Sequence, residues 1–420
     1  MDEIPVKRKI IISNTDIVHK EMTVSEEVYF FNNKKFEKKI PEGKTELEIA
    51  EEKVVEIVNG FLNRQYDNTI VLTGAGSSIL REDDIEEDIT EGFDILDHSG
   101  KTVYELKQAI EEHLDQLQVW YSLNELAERV KYTPDSNGFN IEDLLSKVET
   151  ARDYISDNEK EKFDLTVTEI EKKIRSLCDI SMCQYHKHRE FINKLATKRR
   201  SHNRMKIFTT NYDTLFEQAL QEEEYILVDG FSYEFPRKFN SRYFDYDFII
   251  RGENKIMDEP EYIEKVVHLL KIHGSIDWKK SDRGEVIKSS VRDEQNQSLM
   301  IYPKRAKFEQ SYENPYFDLF SRFQTELRKK NTLLIVIGFS FADKHIKSIV
   351  KNAMLNNVSL NILIVSPDIE KEEYTDFIDR AKRYENIMLY GGTFNKFVSI
   401  YRKQAAYSDE LFIDTGDGNE

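Results

Sequence analysis

Residues 331–338 (NTLLIVIG) and 361–366 (NILIVS) are apolar almost without a break. A strand with one face in water alternates polar and apolar residues, whereas a continuous run marks a strand covered on both faces, as in a parallel sheet between helix layers. Between the two runs, residues 343–355 carry apolar side chains at helical spacing. The strand pattern recurs at Asn68–Leu72, Met205–Thr209, Tyr225–Val228 and Val266–Ile272. The helical pattern recurs over 45–64 and through Leu215, Phe216, Ala219 and Leu220. Alternation of this kind predicts an α/β fold, a doubly wound Rossmann-like parallel sheet.

The organisation follows from the same pattern. Residues 1–45, with a strand-like run Lys9–Ser13, read as a small N-terminal extension. The α/β core spans 46–99 and 201–405. Residues 100–200 are mostly helical, with Val167, Ile170, Ile174 and Leu177 on one face, and read as an insertion or subdomain. Its breaks fall at Thr133–Asp135 and Ser136–Gly138. The acid-rich stretch 81–97 reads as a lid or solvated loop, Trp120 and Tyr121 as core or an oligomer contact, and 406–420 as an acidic tail.

Composition removes several function classes. The 25 Phe and 21 Tyr are too many for a disordered chain. No apolar run approaches the ~20 residues of a membrane-spanning helix. A net charge of −18 repels phosphate backbones at long range, so broad nucleic-acid binding is not expected. The basic run Lys198–Arg200 with Arg204 and Lys206 reads as a solvated helix end. Cys178 and Cys183 are the only cysteines, which points to a reducing, cytoplasmic setting and leaves too few thiols for a four-cysteine zinc site. Both read as helix residues, and the spacing of His186 and His188 from Cys183 fits no structural zinc pattern.

The strand ends carry the chemistry. Asn68–Leu72 runs into Thr73-Gly74-Ala75-Gly76-Ser77-Ser78, where two glycines would let the backbone approach a diphosphate and the turn's N–H groups would face the anion. Taken alone this is a weak signal, because the full dinucleotide fingerprint and the P-loop lysine are both missing. Thr210-Asn211-Tyr212-Asp213 follows a second strand, and its amide and carboxylate could bracket a carboxamide, a ribose or a water, or simply cap the next helix. His273-Gly274-Ser275 follows a third strand, a place suited to a general base. Gly338-Phe339-Ser340-Phe341-Ala342-Asp343 and Ser366-Pro367-Asp368 close two more.

In their order, TGAGSS, TTNYD, KIHGS and IVIGFSFAD resemble the sirtuins, the silent-information-regulator family of NAD-dependent enzymes, over about 68–80 and 205–400. The resemblance implies that Gly74, Ala75, Gly76 and Ser77 form the diphosphate loop. It implies that Asn211 and Asp213 lie against nicotinamide and its ribose, and that His273 is the catalytic histidine. Gly338 and Ser340 correspond to the second phosphate and ribose turn. Ser366 and Asp368 fall at the adenosine contacts, although the family's usual asparagine is missing there.

Two departures shape the functional expectation. Protein-deacylating sirtuins carry two C-x-x-C pairs after the histidine motif, and here no cysteine lies between His273 and Gly338. The stretch from Asn211 to His273 is also long, filled by the aromatic insert Phe231–Phe248. The resemblance then implies a zinc-less enzyme that hydrolyses NAD to nicotinamide and ADP-ribose through an oxocarbenium-like transition state. Similar bacterial proteins deplete NAD in anti-phage defence. The implied partners are NAD, further copies of the chain and a HerA-type ATPase, with nucleic acid met only through the complex and no membrane contact. The alternatives are a zinc-independent deacylase or ADP-ribosyltransferase, and a non-catalytic sensor of NAD or ADP-ribose that regulates an ATPase or nuclease complex.

Overall fold

The structure, a computed structural model, describes residues 6–22, 27–35, 44–85, 94–117, 119–134, 138–196, 203–250, 261–289, 298–300 and 315–402. The basic run Lys198–Arg200, the tail 406–420 and residues 86–93 of the acidic stretch lie outside them.

The chain opens with β1 (Val6–Ile12), β2 (Ile17–Met22), β3 (Glu27–Phe31) and β4 (Lys34–Lys35). Helix α1 (Glu46–Leu62) starts where Thr45 and Glu48 form a capping box, and it leads into β5 (Asn68–Thr73). The helical stretch holds α2 (Ile95–His98), α3 (Val103–Leu117), α4 (Leu123–Arg129), α5 (Ile141–Ala151), α6 (Asp157–Cys178) and α7 (His188–Leu195). Then come β6 (Met205–Thr209), α8 (Leu215–Glu222), β7 (Ile226–Val228), the short β8 (Ile249–Ile250) and β9 (Glu261–Tyr262), and β10 (Val266–Lys271). Strands β11 (Gly274–Lys280), β12 (Val286–Lys288) and β13 (Ser298–Met300) precede α9 (Tyr316–Leu327) and β14 (Thr332–Ile337). The chain ends through α10 (Lys344–Asn356), β15 (Leu360–Ser366), α11 (Thr375–Ala381), β16 (Ile387–Gly391) and α12 (Phe394–Ile400).

An 11-stranded sheet runs β4-β3-β2-β1-β16-β15-β14-β5-β6-β10-β7. From β16 to β7 every pairing is parallel, with Ile335 beside Val71 and Thr73 beside Thr209. The N-terminal strands, expected as a small extension, continue this sheet, since β1 pairs antiparallel with β16.

The apolar runs bury both faces, as their lack of alternation requires. One face (Ile70, Leu72, Phe208, Leu334, Val336) packs on Phe323 of α9, Val350 of α10 and Phe377 of α11. The other (Val71, Ile207, Ile335, Ile337, Leu363) packs on Val58 of α1, Phe191 of α7, Phe216 of α8 and Phe397 of α12. Each such Ile or Leu contributes about 1.5–3 kcal/mol by leaving water. Helices α3–α6 have a core of their own built on Ile110, Leu126, Leu144, Phe163, Val167 and Ile170. Tyr121 is buried in it, with Trp120 packed against it, and the Arg129 guanidinium stacks 3.8 Å above the Tyr121 ring.

Among the described residues no helix is long and apolar enough to cross a membrane.

Candidate functional site

Strand order sets the site. From β5 the next strands build out on one side as β6, β10 and β7, and the chain then crosses over to β14 on the other side. Strands β5 and β14 therefore flank a switch in topology, the place where ligands of α/β sheets bind, at the carboxyl ends of the strands. Along that edge the ends fall in a row: Ser366, Gly338, Gly74, Thr210–Asp213 and His273.

The turn after β5 is a single 3-10 turn, Ala75–Ser77. Ser77 N–H donates to the Gly74 carbonyl, Ser78 N–H to Ala75 and Gly76 N–H to Gly338. The amides expected to face an anion are thus largely engaged within the turn and with the neighbouring loop. The glycines serve that loop contact directly. A Cβ on Gly76 would lie 2.7 Å from Gly338 Cα, and one on Gly74 would lie 2.9 Å from the Gly338 carbonyl oxygen.

Asn211 and Asp213 come together with the same turn. Asn211 Nδ2 donates to Ser77 Oγ at 3.1 Å and to Ser78 Oγ at 2.8 Å, and Ser78 Oγ donates to Asp213 Oδ2 at 2.7 Å. Both side chains are buried. Asp213 Oδ1 also accepts from Leu215 N–H at the start of α8, so the carboxylate serves the helix end and the polar cluster at once.

His273 sits beyond β10, its Nε2 3.2 Å from Asp343 Oδ2, with both side chains almost fully buried. The other oxygen of Asp343 accepts from His345 and Ile346 N–H and caps α10. The loop bearing Asp343 holds two residues in the left-handed region, Gly338 at φ 60° and Phe341 at φ 58°. An aromatic residue pays a strain for that conformation, offset here by packing of the Phe341 ring 4.5 Å from Phe377. Ser340 is exposed, and its Oγ accepts from Ala342 N–H. Ser366 Oγ donates to the Asp368 carbonyl, Asp368 Oδ1 accepts from Glu370 N–H, and the Asp368 side chain faces solvent.

Three contributors were not singled out from sequence. Ser78 lay in plain view within the glycine turn. Asp343 stands inside the motif that closes β14, and nothing local shows that its side chain reaches His273. Lys271 is the odd cation in an apolar strand, and that oddity is the signal. Its ammonium donates to the carbonyls of Tyr212 and Asp213 and to Glu217 Oε1.

The remaining sequence candidates lie elsewhere. His186 Nδ1 is 3.2 Å from Cys183 Sγ, and burial lowers the His186 pKa to about 4. The His188 ring lies 4.8 Å from those of Phe216 and Phe394, wholly buried, and burial holds it well below the ordinary imidazole range. Cys178 ends α6, but Cys183 lies in the loop beyond it and not in a helix. Among the described residues no group of three or more His, Cys, Asp or Glu is placed to hold a metal ion. Glu82–Asp84 forms a turn against the start of α12, where Asp84 Oδ1 accepts from Thr393 Oγ1 and burial raises the Asp84 pKa.

No curated protein matches the chain. A solved structure concerned with the structural basis of sirtuin substrate affinity aligns over 84% of this chain and 98% of its own, at 12% identity and a TM-score of 0.27. Residues 205–387, which carry Asn211, Asp213, His273, Gly338 and Ser366, match the family model of the SIR2-like domain.

Proposed function

We propose that the chain hydrolyses NAD to nicotinamide and ADP-ribose at the carboxyl edge of β5, β6, β10 and β14. Two observations support this reading: the buried relay from Asn211 through Ser78 to Asp213, and the His273–Asp343 pair at a neighbouring strand end; all of these residues but Ser78 fall in the span that matches the SIR2-like domain model. The bond between ribose C1′ and the nicotinamide nitrogen breaks, and its electron pair leaves with nicotinamide. Positive charge develops on the ribosyl carbon, as in glycoside cleavage. With both Asn211 amide protons given to serines, its carbonyl oxygen and the Asp213 carboxylate are the groups that stabilise this charge. Water then bonds C1′ and passes one proton to His273, which Asp343 orients.

The diphosphate lies over 74–77 and 338–340, with Ser366 and Asp368 toward the adenosine. The glycines fit that role only partly, because they already pack on one another. Taking up a diphosphate requires the turn to re-aim amides that are now bonded internally. On the same reading the enzyme acts in cytoplasmic anti-phage defence by NAD depletion, as a homo-oligomer beside a HerA-type ATPase.

Incubation with NAD, followed by chromatography of nicotinamide and ADP-ribose, tests the activity. Release of both without any acylated peptide is expected. Release that depends on an acylated peptide overturns the hydrolase reading. Light scattering of the chain alone and with the ATPase tests the assembly, and a monomer in both cases removes that part.

A further inference from the structure

Lys271 is 2% exposed at the end of β10. Burying an ammonium is costly unless every proton is bonded, and an apolar residue of similar size usually serves stability as well or better. Here the three protons go to Tyr212 O at 3.3 Å, to Asp213 O and to Glu217 Oε1 at 3.1 Å. The Tyr212 carbonyl also accepts from Ser275 Oγ at 3.2 Å and Ile276 N–H at 3.1 Å.

The loop after β6 is therefore gripped from two sides. Its side chains, Asn211 and Asp213, turn to Ser77 and Ser78, while its carbonyls turn to Lys271 and the start of β11.

The charge of Lys271 is matched locally. Asp277 lies near it, and Lys288 bridges Asp277 at 3.3 Å to Asp229 at 2.8 Å, which also takes Arg237 at 2.8 Å. Burial raises the Glu217 pKa even with Lys271 and Lys288 close by. Burial also pushes Asp277 up, but Lys288 and Lys271 outweigh it and hold its pKa below the usual carboxylate value. Carboxylates Glu217, Asp229 and Asp277 thus face cations Lys271, Lys288 and Arg237. An ammonium so compensated is not a phosphate ligand, and its reach into the site is through peptide carbonyls.

We infer that Lys271 is a positioning residue that holds the 211–213 loop in the conformation needed to cleave the nicotinamide–ribose bond. This rests on reading Asn211 and Asp213 as the groups beside that bond. Diphosphate binding, carried by the turns after β5 and β14, does not depend on Lys271.

The test is the paired variant Lys271→Met with Glu217→Gln, which removes both charges together and leaves no lone buried carboxylate. Its kcat for nicotinamide release is expected to fall about 100-fold, with Kd for ADP-ribose within about threefold of wild type. Amide hydrogen exchange should quicken over residues 205–215 and stay unchanged over 68–78. Unchanged kcat, or unchanged exchange over 205–215, overturns the inference. So does a matching loss of ADP-ribose binding, because Lys271 would then support the site as a whole. If the wild-type chain releases no nicotinamide, the hydrolase reading fails, and the exchange comparison alone decides whether Lys271 orders the loop. Should the paired variant not fold, Lys271→Arg keeps the charge and its carboxylate while replacing the compact three-proton head. The same split between kcat and ADP-ribose binding, with the same change in exchange, is expected of it.

Discussion

Gly76 and Gly338 sit back to back: Gly76 N–H donates to the Gly338 carbonyl at 3.0 Å, and a Cβ on Gly338 would lie 2.5 Å from the Gly76 carbonyl carbon. The turns that end β5 and β14 therefore meet backbone to backbone. An alanine at either position must push them apart, and at Gly338 it must also adopt a left-handed φ. Gly76→Ala and Gly338→Ala are each expected to cost about 2–4 kcal/mol of stability and to abolish nicotinamide release. Urea unfolding beside an NAD hydrolysis assay checks this. Wild-type stability in both variants would mean that the two turns are not packed as described.

Asn211 and His273 are buried groups within hydrogen-bonded clusters, so their removal reaches beyond chemistry. Asn211→Ala leaves Ser77 and Ser78 without their donor, at about 1–3 kcal/mol. Both Asn211→Ala and His273→Ala are expected to reduce nicotinamide release about 100-fold or more while the protein still folds. A variant that melts in one transition and hydrolyses NAD at the wild-type rate rules its residue out of the reaction.

Asp343 has two duties that substitution can separate. Asp343→Asn keeps a side-chain oxygen able to cap α10, so stability should change by less than about 1 kcal/mol. It takes the carboxylate away from His273, and kcat should fall about tenfold or more. Asp343→Ala removes both, adding about 1 kcal/mol of lost capping. Equal activity of wild type and the Asn variant would leave Asp343 as a cap only.

His268 on β10 is buried, neither ring nitrogen has a hydrogen-bond partner, and its pKa is lowered to about 3 by burial and then by Lys206, with Arg204 and Arg322 acting the same way and Asp247 opposing them. In the unfolded chain the ring takes a proton near pH 6.5, whereas in the folded chain it stays neutral down to about 3. Stability is therefore lost as pH falls below about 6.5, by about 2 kcal/mol between there and pH 5 for this residue. His268→Phe removes that dependence, so the gap in Tm between variant and wild type should shift toward the variant on acidification from pH 7 to 5. A constant gap would show that His268 does not remain neutral in the fold.

Local pattern determined most of the core. The continuous apolar runs at 331–338 and 361–366 marked strands covered on both faces, and helical spacing over 45–64 and 343–355 marked the helices that the structure starts at Glu46 and Lys344. Short or mixed-pattern elements escaped. Strands β8, β9, β12 and β13 hold two or three residues each, too few for a periodic mark, and are set by the strands they pair with. For the same reason the role of 6–35 as four added strands could not be read: β1 is defined by what it pairs with, and its partner β16 lies at the other end of the chain.

The site divides along the same line. Sequence by itself determined which strand ends carry glycine, amide, carboxylate and imidazole, because each motif is contiguous and follows its own strand. Only the tertiary structure decided what those groups do to one another. It spent Gly76 and Gly338 on mutual contact, tied Asn211 to Asp213 through Ser78, gave His273 the second oxygen of a helix cap, and set Lys271 beneath the loop. Each of these contacts joins residues more than 50 positions apart. Such a contact is set by strand order and register, and those follow from burying both sheet faces at once rather than from any local preference.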